Sequence, residues 1–382
     1  MNENKTSWDQ FIGTVVPGSK YDKLIGMIYG HALGDAVGLQ SEFKVANAET
    51  GIKFPYDRPI RDYPLCDWTD DTDHLILVMQ SLIANKMKFN ARDFAKRLKD
   101  WSCSGFPELG DTTGLGLGGT TNMVIIHPKF LEDPMKAATE VWTNAGRRIA
   151  PNGSLMRTSI IGTISLTDNP CMGCDNCIRS MAEALCKVTH ADPRCIAACV
   201  FQSLAINKLV NDPSPNIDGL VDSCAHAAQK YVRGTTACAP PEVEKRIRGV
   251  PKSYVDTRFS DHEEEFLYWI NMAYTSDIRA LELDESVKIG FVFKCLSCSI
   301  FALQMISLAV KYKKRICFKK FIILLAGEAG DADTNCAVAG AIIGAHLGYS
   351  ALPRDWIEAL PNRTWLNNII IDYVFALNIQ QS

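Results

Sequence analysis

Three groups of oxygen-bearing side chains have the type and spacing to do chemistry. Trp68-Thr69-Asp70-Asp71-Thr72-Asp73 stands directly before the apolar run HLILVMQSLI. Gly330-Asp331-Ala332-Asp333-Thr334-Asn335 stands before CAVAGAIIGAHLG, and Glu42 follows GDAVGLQS. The first two sit where a helix should begin. Asp and Thr are ordinary there, because their oxygens accept the unpaired N–H groups of the first turn and complement the helix dipole. A cap needs one side chain, however, and each of these starts carries a hydroxyl and at least two carboxylates. Like charges this dense repel unless a cation lies between them. Hard divalent cations take about six or more oxygen ligands and keep some waters. Thr69, Asp70, Asp71, Asp331, Asp333, Thr334 and Glu42 supply such a set, with enough ligands for two ions. No His or Cys is needed, which favours Mg²⁺ or Mn²⁺ over Zn²⁺.

The elements that must position these groups are helices. Apolar periodicity predicts helices over 21–39, 72–85, 91–101, 179–188, 194–209, 217–231, 263–275, 289–312, 318–326 and 335–348. Strand-like alternation is short and scattered, so an all-α fold is expected. Asp192-Pro193 places a cap and a first-turn proline before RCIAACVFQSLAI. Two helices carry glycine at every fourth position: Gly26, Gly30, Gly34 and Gly38, then Gly340, Gly344 and Gly348. Residues four apart share a helix face, and interior glycine costs roughly 1 kcal/mol against alanine. Such stripes make sense where another backbone approaches closely, with the two stripes facing each other. Residues 105–121 read as a glycine-rich loop, 169–176 as a loop with a cysteine cluster, 236–261 as a long charged connection and 1–20 as a tail.

With these motifs in place, the sequence resembles the ADP-ribosylglycohydrolases, which include ADP-ribosylarginine and ADP-ribosylserine hydrolases and the dinitrogenase-reductase activating enzyme. The resemblance runs in order through five motifs between residues 21 and 350: GMIYGHALGDAVGLQSEF, WTDDT, PNGSLMR at 151–157, THADP at 189–193, and GDADTN. It implies a compact, all-α multi-helix domain over 21–378 with a dinuclear metal cleft. Thr69, Asp70, Asp71, Asp331, Asp333 and Thr334 would hold two Mg²⁺ or Mn²⁺ ions, with Glu42 beside them. Asn152, Gly153 and Ser154 would line the distal-ribose and phosphate site, and His190 would face the diphosphate. The glycine-rich loop, through Gly116, Gly118 and Thr120, would present backbone N–H groups to the same phosphates. The implied reaction is hydrolysis at C1″ of ADP-ribose joined to an acceptor, an ADP-ribosylated protein or a small ADP-ribose conjugate. Glu42 or Asp71 would be general base, Glu42 being favoured because it lies past a helix end. Ala329 and Ala191 stand where many members have glycine, and Ile149 where some have an aromatic residue.

Other signals narrow the field. The formal net charge of −3 and pI of about 6.2 leave no basic footprint, so nucleic acid is not expected as a partner. The N-terminal twenty residues hold no apolar run, and the fourteen cysteines then read as reduced thiols in a cytoplasmic protein, expected to be a monomer. Residues 289–310 are long and apolar enough for a membrane span, but Lys294 and Gln304 lie inside them, so a buried core helix is expected and no membrane association. Cys171, Cys174 and Cys177 have metal-like spacing without a fourth ligand, and a reduced, exposed loop is the expectation. His31 and His346 on the glycine-striped helices read as packing residues. His190 alone would read as structural; only the THADP motif raises it. Two other functions compete. A Mg-dependent phosphohydrolase would place its D-x-D after β-strands, which are not expected here. A non-catalytic ADP-ribose binder or crystallin-like relative would typically have lost metal carboxylates, which this chain keeps.

Overall fold

The computed structural model describes residues 7–46, 51–167, 173–236 and 254–378. Among them the chain is helical: α1 (Trp8–Thr14), α2 (Lys20–Gly38), α3 (Asp70–Ala84), α4 (Ala91–Ser104), α5 (Gly119–Ile125), α6 (Pro134–Asn144), α7 (Asp175–Lys187), α8 (Pro193–Asn211), α9 (Ile217–Val232), α10 (His262–Thr275), α11 (Val292–Lys311), α12 (Phe318–Gly327), α13 (Ala332–Leu347), α14 (Arg354–Ala359) and α15 (Arg363–Asn378). Extended pairing among the described residues is limited to two isolated bridges, Ile60 with Tyr63 and Pro151 with Phe291. The all-α expectation holds, and each predicted helix is present with its ends moved by a few residues.

At the centre α2 and α13 run antiparallel with their glycine stripes in contact. A Cβ on Gly30 would lie 2.3 Å from the Gly340 oxygen, one on Gly34 2.1 Å from the Cys336 oxygen, and one on Gly38 2.2 Å from the Ala332 oxygen. No side chain fits between the two backbones. Around this pair α2 is buried from Asp22 to Gly38 and α13 from Ala332 to Ala345, which explains why neither shows a clear polar face. α11 is the span-like segment, and 72% of its apolar window is buried inside the fold. Its polar groups are satisfied there: Lys294 Nζ lies 2.8 Å from Glu285, and Gln304 donates to the Tyr274 carbonyl at 2.7 Å.

The structure departs from expectation in several segments. Within the expected tail, Trp8–Thr14 is a helix closed by a Ser7/Gln10 capping box. Its Phe11 is buried, and Trp8 packs against Tyr29 and Tyr349; apolar contact with the core makes the segment an element. The expected 105–121 loop ends early, because Gly118 opens α5 and puts Thr120 and Thr121 in a first helical turn. α6 starts at Asp133-Pro134, the same cap signature as Asp192-Pro193, and α15 buries Leu366, Ile370, Tyr373 and Leu377 at helical spacing. Most of 236–261, and Cys171, lie outside the described residues.

The α2–α13 contact makes a direct prediction. Gly34→Ala should lower unfolding free energy by about 2–3 kcal/mol or more, since the methyl meets backbone that cannot swing away. Gly13→Ala, where nothing lies within 4 Å, should be neutral or stabilise by up to ~1 kcal/mol. Urea denaturation of both checks this, and equal effects would contradict the close packing.

Candidate active site

The last turns of α2 set the geometry. Asp35 is wholly buried and faces the start of α3. It accepts the Thr69 N–H at 3.1 Å, the Thr69 hydroxyl at 2.8 Å, the Thr72 N–H at 3.0 Å and the Thr72 hydroxyl at 2.6 Å. One carboxylate from a neighbouring helix thus supplies most of the capping that α3 needs. Thr69 is the N-cap residue, and its side chain accepts from the Asp71 N–H at 3.4 Å. Asp70 and Asp71 are left uncommitted to the helix, while Asp73 turns away to accept from the Trp68 and Trp101 indoles at 2.8 and 3.0 Å.

The same economy holds at α13. Asp331 occupies its N-cap position but makes no side-chain cap bond. Instead its Oδ2 accepts from the Asn152 amide at 2.7 Å. Glu42 is held alongside by a backbone clasp: the Phe43 N–H donates to the Gly330 carbonyl at 2.5 Å, and the Gly330 N–H to the Lys44 carbonyl at 3.2 Å. Gly330 has φ +68°, and a Cβ there would lie 2.1 Å from the Leu283 oxygen, so only glycine serves.

Carboxylate oxygens of Asp35, Asp71 and Asp333 lie within 4.8 Å of one another, and so do those of Glu42, Asp331 and Asp333. Asp333 belongs to both groups. The Thr334 hydroxyl donates to Asp71 Oδ2 at 3.2 Å, and Thr69 Oγ1 lies 3.2 Å from the same oxygen. Asp71 Oδ1 is buried with no partner. Asp35 already accepts four hydrogen bonds and so supports Thr69 and Thr72, which leaves the oxygens of the other acidic residues as those that could face an ion. An orphaned buried carboxylate oxygen inside an all-oxygen donor set fits hard divalent cations.

Electrostatics agree. Burial, and then the charge of neighbouring acids, pushes Asp70, Asp71 and Asp333 well above the usual carboxylate range. Burial pushes Asp35 and Glu42 up to about 6, the latter against the opposing pull of Arg61. Arg61 bonds Glu42 and lies 5.9 Å from the Phe43 ring centroid. Both Phe43 and Arg61 hold left-handed backbone, at φ 57° and 52°, which non-glycine residues adopt at a cost and which clusters at functional sites.

These groups form one end of a cleft of about 210 Å³. Glu42, Asp70, Asp71, Asp331, Asp333 and Thr334 line it, as do Gly116, Gly118, Thr120, Asn152, Gly153 and His190. Thr69 lies just beneath, 1% exposed. Gly116 passes against Asp70, where a Cβ would lie 2.2 Å from its Oδ1. Ser154 does not reach the cleft. Two residues past Asn152 the turn carries it to the far side, where its hydroxyl accepts weak S–H bonds from Cys186 and Cys199 at 3.3 and 3.5 Å.

His190 is neutral, since burial and then Arg157 push it down to about 3. Arg157 donates to Thr189 Oγ1 at 2.7 Å, and that hydroxyl lies 2.7 Å from His190 Nδ1. In the tautomer whose Nδ1 accepts from Thr189, the ring hydrogen sits on Nε2, a buried atom that finds no partner among the described residues. Thr120 Oγ1 is likewise buried and unpaired. The cleft therefore offers carboxylates at one end and hydrogen-bond donors along its wall. Sequence reasoning missed Asp35, Arg61, Phe43 and Tyr254, whose ring stacks on Phe291 at 5.3 Å and lines the cleft. Asp35 was legible in GDA; Arg61 and Tyr254 lie in irregular segments with no periodic signal.

The profile of the ADP-ribosylglycohydrolase family matches residues 17–381. A protein of Serratia proteamaculans (strain 568) named ADP-ribosylarginine hydrolase Tri1 is 23% identical over 370 residues, covering 96% of this chain and 83% of that one. An Archaeoglobus fulgidus protein of no assigned function is 24% identical over 356 residues, covering 91% and 94%. A solved structure titled "ADP-ribosylglycohydrolase-related protein complex" superposes with a TM-score of 0.60 at 18% identity, covering 94% of this chain and 99% of that one, and so shares its fold.

The buried acids predict how stability depends on pH. A carboxyl held above its unfolded value of ~4 favours the protonated, folded state. Its contribution is complete below pH ~4 and is lost as pH rises through the folded value, about 6 for Asp35 and Glu42. In EDTA the melting temperature should therefore fall between pH 4 and 7. Millimolar Mg²⁺ or Mn²⁺ should offset the fall at pH 7, and identical curves with and without metal would contradict the cation assignment.

Proposed function

The chain belongs to the ADP-ribosylglycohydrolase family, and on that premise we propose that it hydrolyses the C1″ bond of ADP-ribose conjugates in a divalent-metal-dependent reaction. The observation that carries this reading is the convergence of α2, α3 and α13 on one set of buried oxygens containing an unpartnered Asp71 oxygen. Thr69, Asp70, Asp71, Asp331, Asp333 and Thr334 would hold two Mg²⁺ or Mn²⁺ ions, with Glu42 beside them. When bound, such ions supply Lewis-acid charge at the ribose hydroxyls and lower the pKa of attacking water.

The chain's own residues account for the rest. Departure of the acceptor leaves an oxocarbenium-like centre at C1″, and water must lose a proton as it adds. Glu42 is suited to take that proton: burial makes it a stronger base than an exposed glutamate. Asp71 is the poorer choice, because its Oδ2 already meets the Thr69 and Thr334 hydroxyls and its free Oδ1 is given to the ions in this reading. His190 Nε2–H and Thr120 Oγ1 are donors suited to the diphosphate, with Gly116 and Gly118 along the same wall. Asn152 links this wall to the acidic end through Asp331.

For the acceptor, arginine is the linkage the geometry favours. The mouth of the cleft already holds one guanidinium, that of Arg61, on the Glu42 carboxylate and near the Phe43 ring. An acceptor guanidinium would meet the same anion and aromatic face once Arg61 moves aside. The Serratia relative's name points the same way.

ADP-ribose release from arginine-, serine- and O-acetyl-linked substrates, with Mg²⁺, Mn²⁺ or EDTA, tests the proposal. Metal-dependent release is expected, fastest from arginine. Asp333→Asn should lose more than the ~100-fold typical of residues outside the ligand shell; activity retained in this variant, or in EDTA, would sink the metal assignment. Asp35→Asn should remain folded and lose roughly 10–100-fold in metal affinity, because it orients Thr69 rather than facing the ions. Isothermal titration with Mn²⁺ reads this, and unchanged affinity would remove Asp35 from the support.

A further inference from the structure

Tyr254 belongs to no helix, yet it is pinned into the cleft wall from several sides. Its N–H donates to the Arg148 carbonyl at 2.9 Å, and its phenol to the Ile289 carbonyl at 3.1 Å. Its ring stacks on Phe291, and its own carbonyl accepts from Arg194 Nη1 at 2.6 Å. Arg194 is fully buried in the first turn of α8. Its Nε and Nη2 each donate to one oxygen of Asp192 at 2.9 Å, and the Trp142 indole donates to the same carboxylate. The guanidinium also lies 5.6 Å from the Phe291 ring centroid. Buried ion pairs add little net stability; this one fixes the backbone of a loop residue and the ring beneath it.

The wall that results has a gap at Gly290, whose φ is +77°. A Cβ there would lie 3.3 Å from Tyr254 Oη, 3.3 Å from Asp331 Oδ2 and 4.0 Å from Asn152 Oδ1. These oxygens have no hydrogen left to offer. The Tyr254 proton is committed to Ile289, and Asn152 turns its amide nitrogen to Asp331. Burial, and then the charge of Asp331, pushes the phenol above its ordinary value and keeps it protonated. A group that enters the gap must therefore bring hydrogens of its own. Sugar hydroxyls do so, whereas a phosphate or carboxylate would meet only acceptors. Ser154, expected at the ribose, is aimed elsewhere, which leaves Tyr254 as the hydroxyl beside Asn152 in this wall.

We propose that Tyr254 is a specificity-determining residue that, with Asn152, accepts hydrogen bonds from the hydroxyls of the ribose beyond the diphosphate, and that Arg194 is the positioning residue that places it there. The proposal rests on the reading of the chain as a hydrolase of ADP-ribose conjugates. An acceptor guanidinium also carries hydrogens, but its anion and aromatic face lie at Glu42 and Phe43.

Isothermal titration of the full chain in Mg²⁺ with ADP-ribose, and with ADP, which lacks that ribose, tests this without turnover. Wild-type protein should bind ADP-ribose the more tightly. Tyr254→Phe should weaken ADP-ribose roughly 3–10-fold and leave ADP as it was. Arg194→Lys should reproduce that selective loss, and the double variant should lose less than the two single effects combined. If the Arg194 variant does not fold, Tyr254→Phe alone decides. Equal weakening of both ligands by Tyr254→Phe would make the tyrosine structural, and no change in either would remove it from the site. An Arg194→Lys protein that binds both ligands as wild type does would strike Arg194 from the proposal. Wild-type protein that binds neither ligand would overturn the hydrolase reading itself, and this proposal with it.

Discussion

The contact between α2 and α13 is the constraint from which the cleft follows. Gly26 and Gly30 face Gly344 and Gly340, and Gly34 and Gly38 face the Cys336 and Ala332 backbone, so the two helices meet with no side chain between them. The helices run antiparallel, so the C-terminal end of α2 lies beside the N-terminal end of α13. That places Asp35 and Glu42 from one helix end against Asp331 and Asp333 from the other. Bulkier residues along either stripe would push the axes apart and separate the two halves of the acidic set. Interior glycine costs roughly 1 kcal/mol per residue against alanine, a penalty accepted here along two whole helices and offset by near-complete burial of both.

The second consequence is electrostatic. Helix starts normally use Asp and Thr to satisfy backbone N–H groups. Here Asp35 does that work for α3 from across the interface, and Asp331 leaves α13 without a side-chain cap. Carboxylates relieved of capping point instead at one another, buried, where each raises its neighbours. A fold under selection for stability alone would not gather them. Their joint burial is tolerable with compensating positive charge, and the only cationic side chain bonded to the set is Arg61, on Glu42, among the described residues.

How far this could be read from sequence depends on whether a residue's neighbours are local. The glycine stripes and acidic motifs were legible because each is a periodic or contiguous pattern on one element. Their meeting was foreseen for the same reason. Ser154 lies outside the cleft lining because adjacency in a motif does not fix direction: Asn152 faces the cleft, whereas the turn aims Ser154 at Cys186 and Cys199. Phe43 and Arg61 were invisible because their role rests on left-handed backbone and on contact between segments that carry no periodic pattern. Tyr254 follows 237–253, and its place depends on Phe291, far along the chain.

The PNGSLMR segment shows why a short motif can matter at both ends of a cleft. Its Asn152 amide holds Asp331 in the acidic set. Five residues on, Arg157 is fully buried with no carboxylate partner among the described residues, its guanidinium 4.9 Å from the Phe94 ring centroid. Burial pushes it down to about 10, still charged at neutral pH. It donates to the Leu185 carbonyl and to Thr189, and the Thr189 hydroxyl in turn meets His190 Nδ1. The positive charge also helps keep that imidazole neutral. One turn of chain therefore orients a carboxylate at the acidic end and an N–H donor at the other. A conservative Lys at 157 would keep the charge, but it lacks the planar fork that reaches both the Leu185 carbonyl and Thr189, and the Thr189–His190 contact would lose its support.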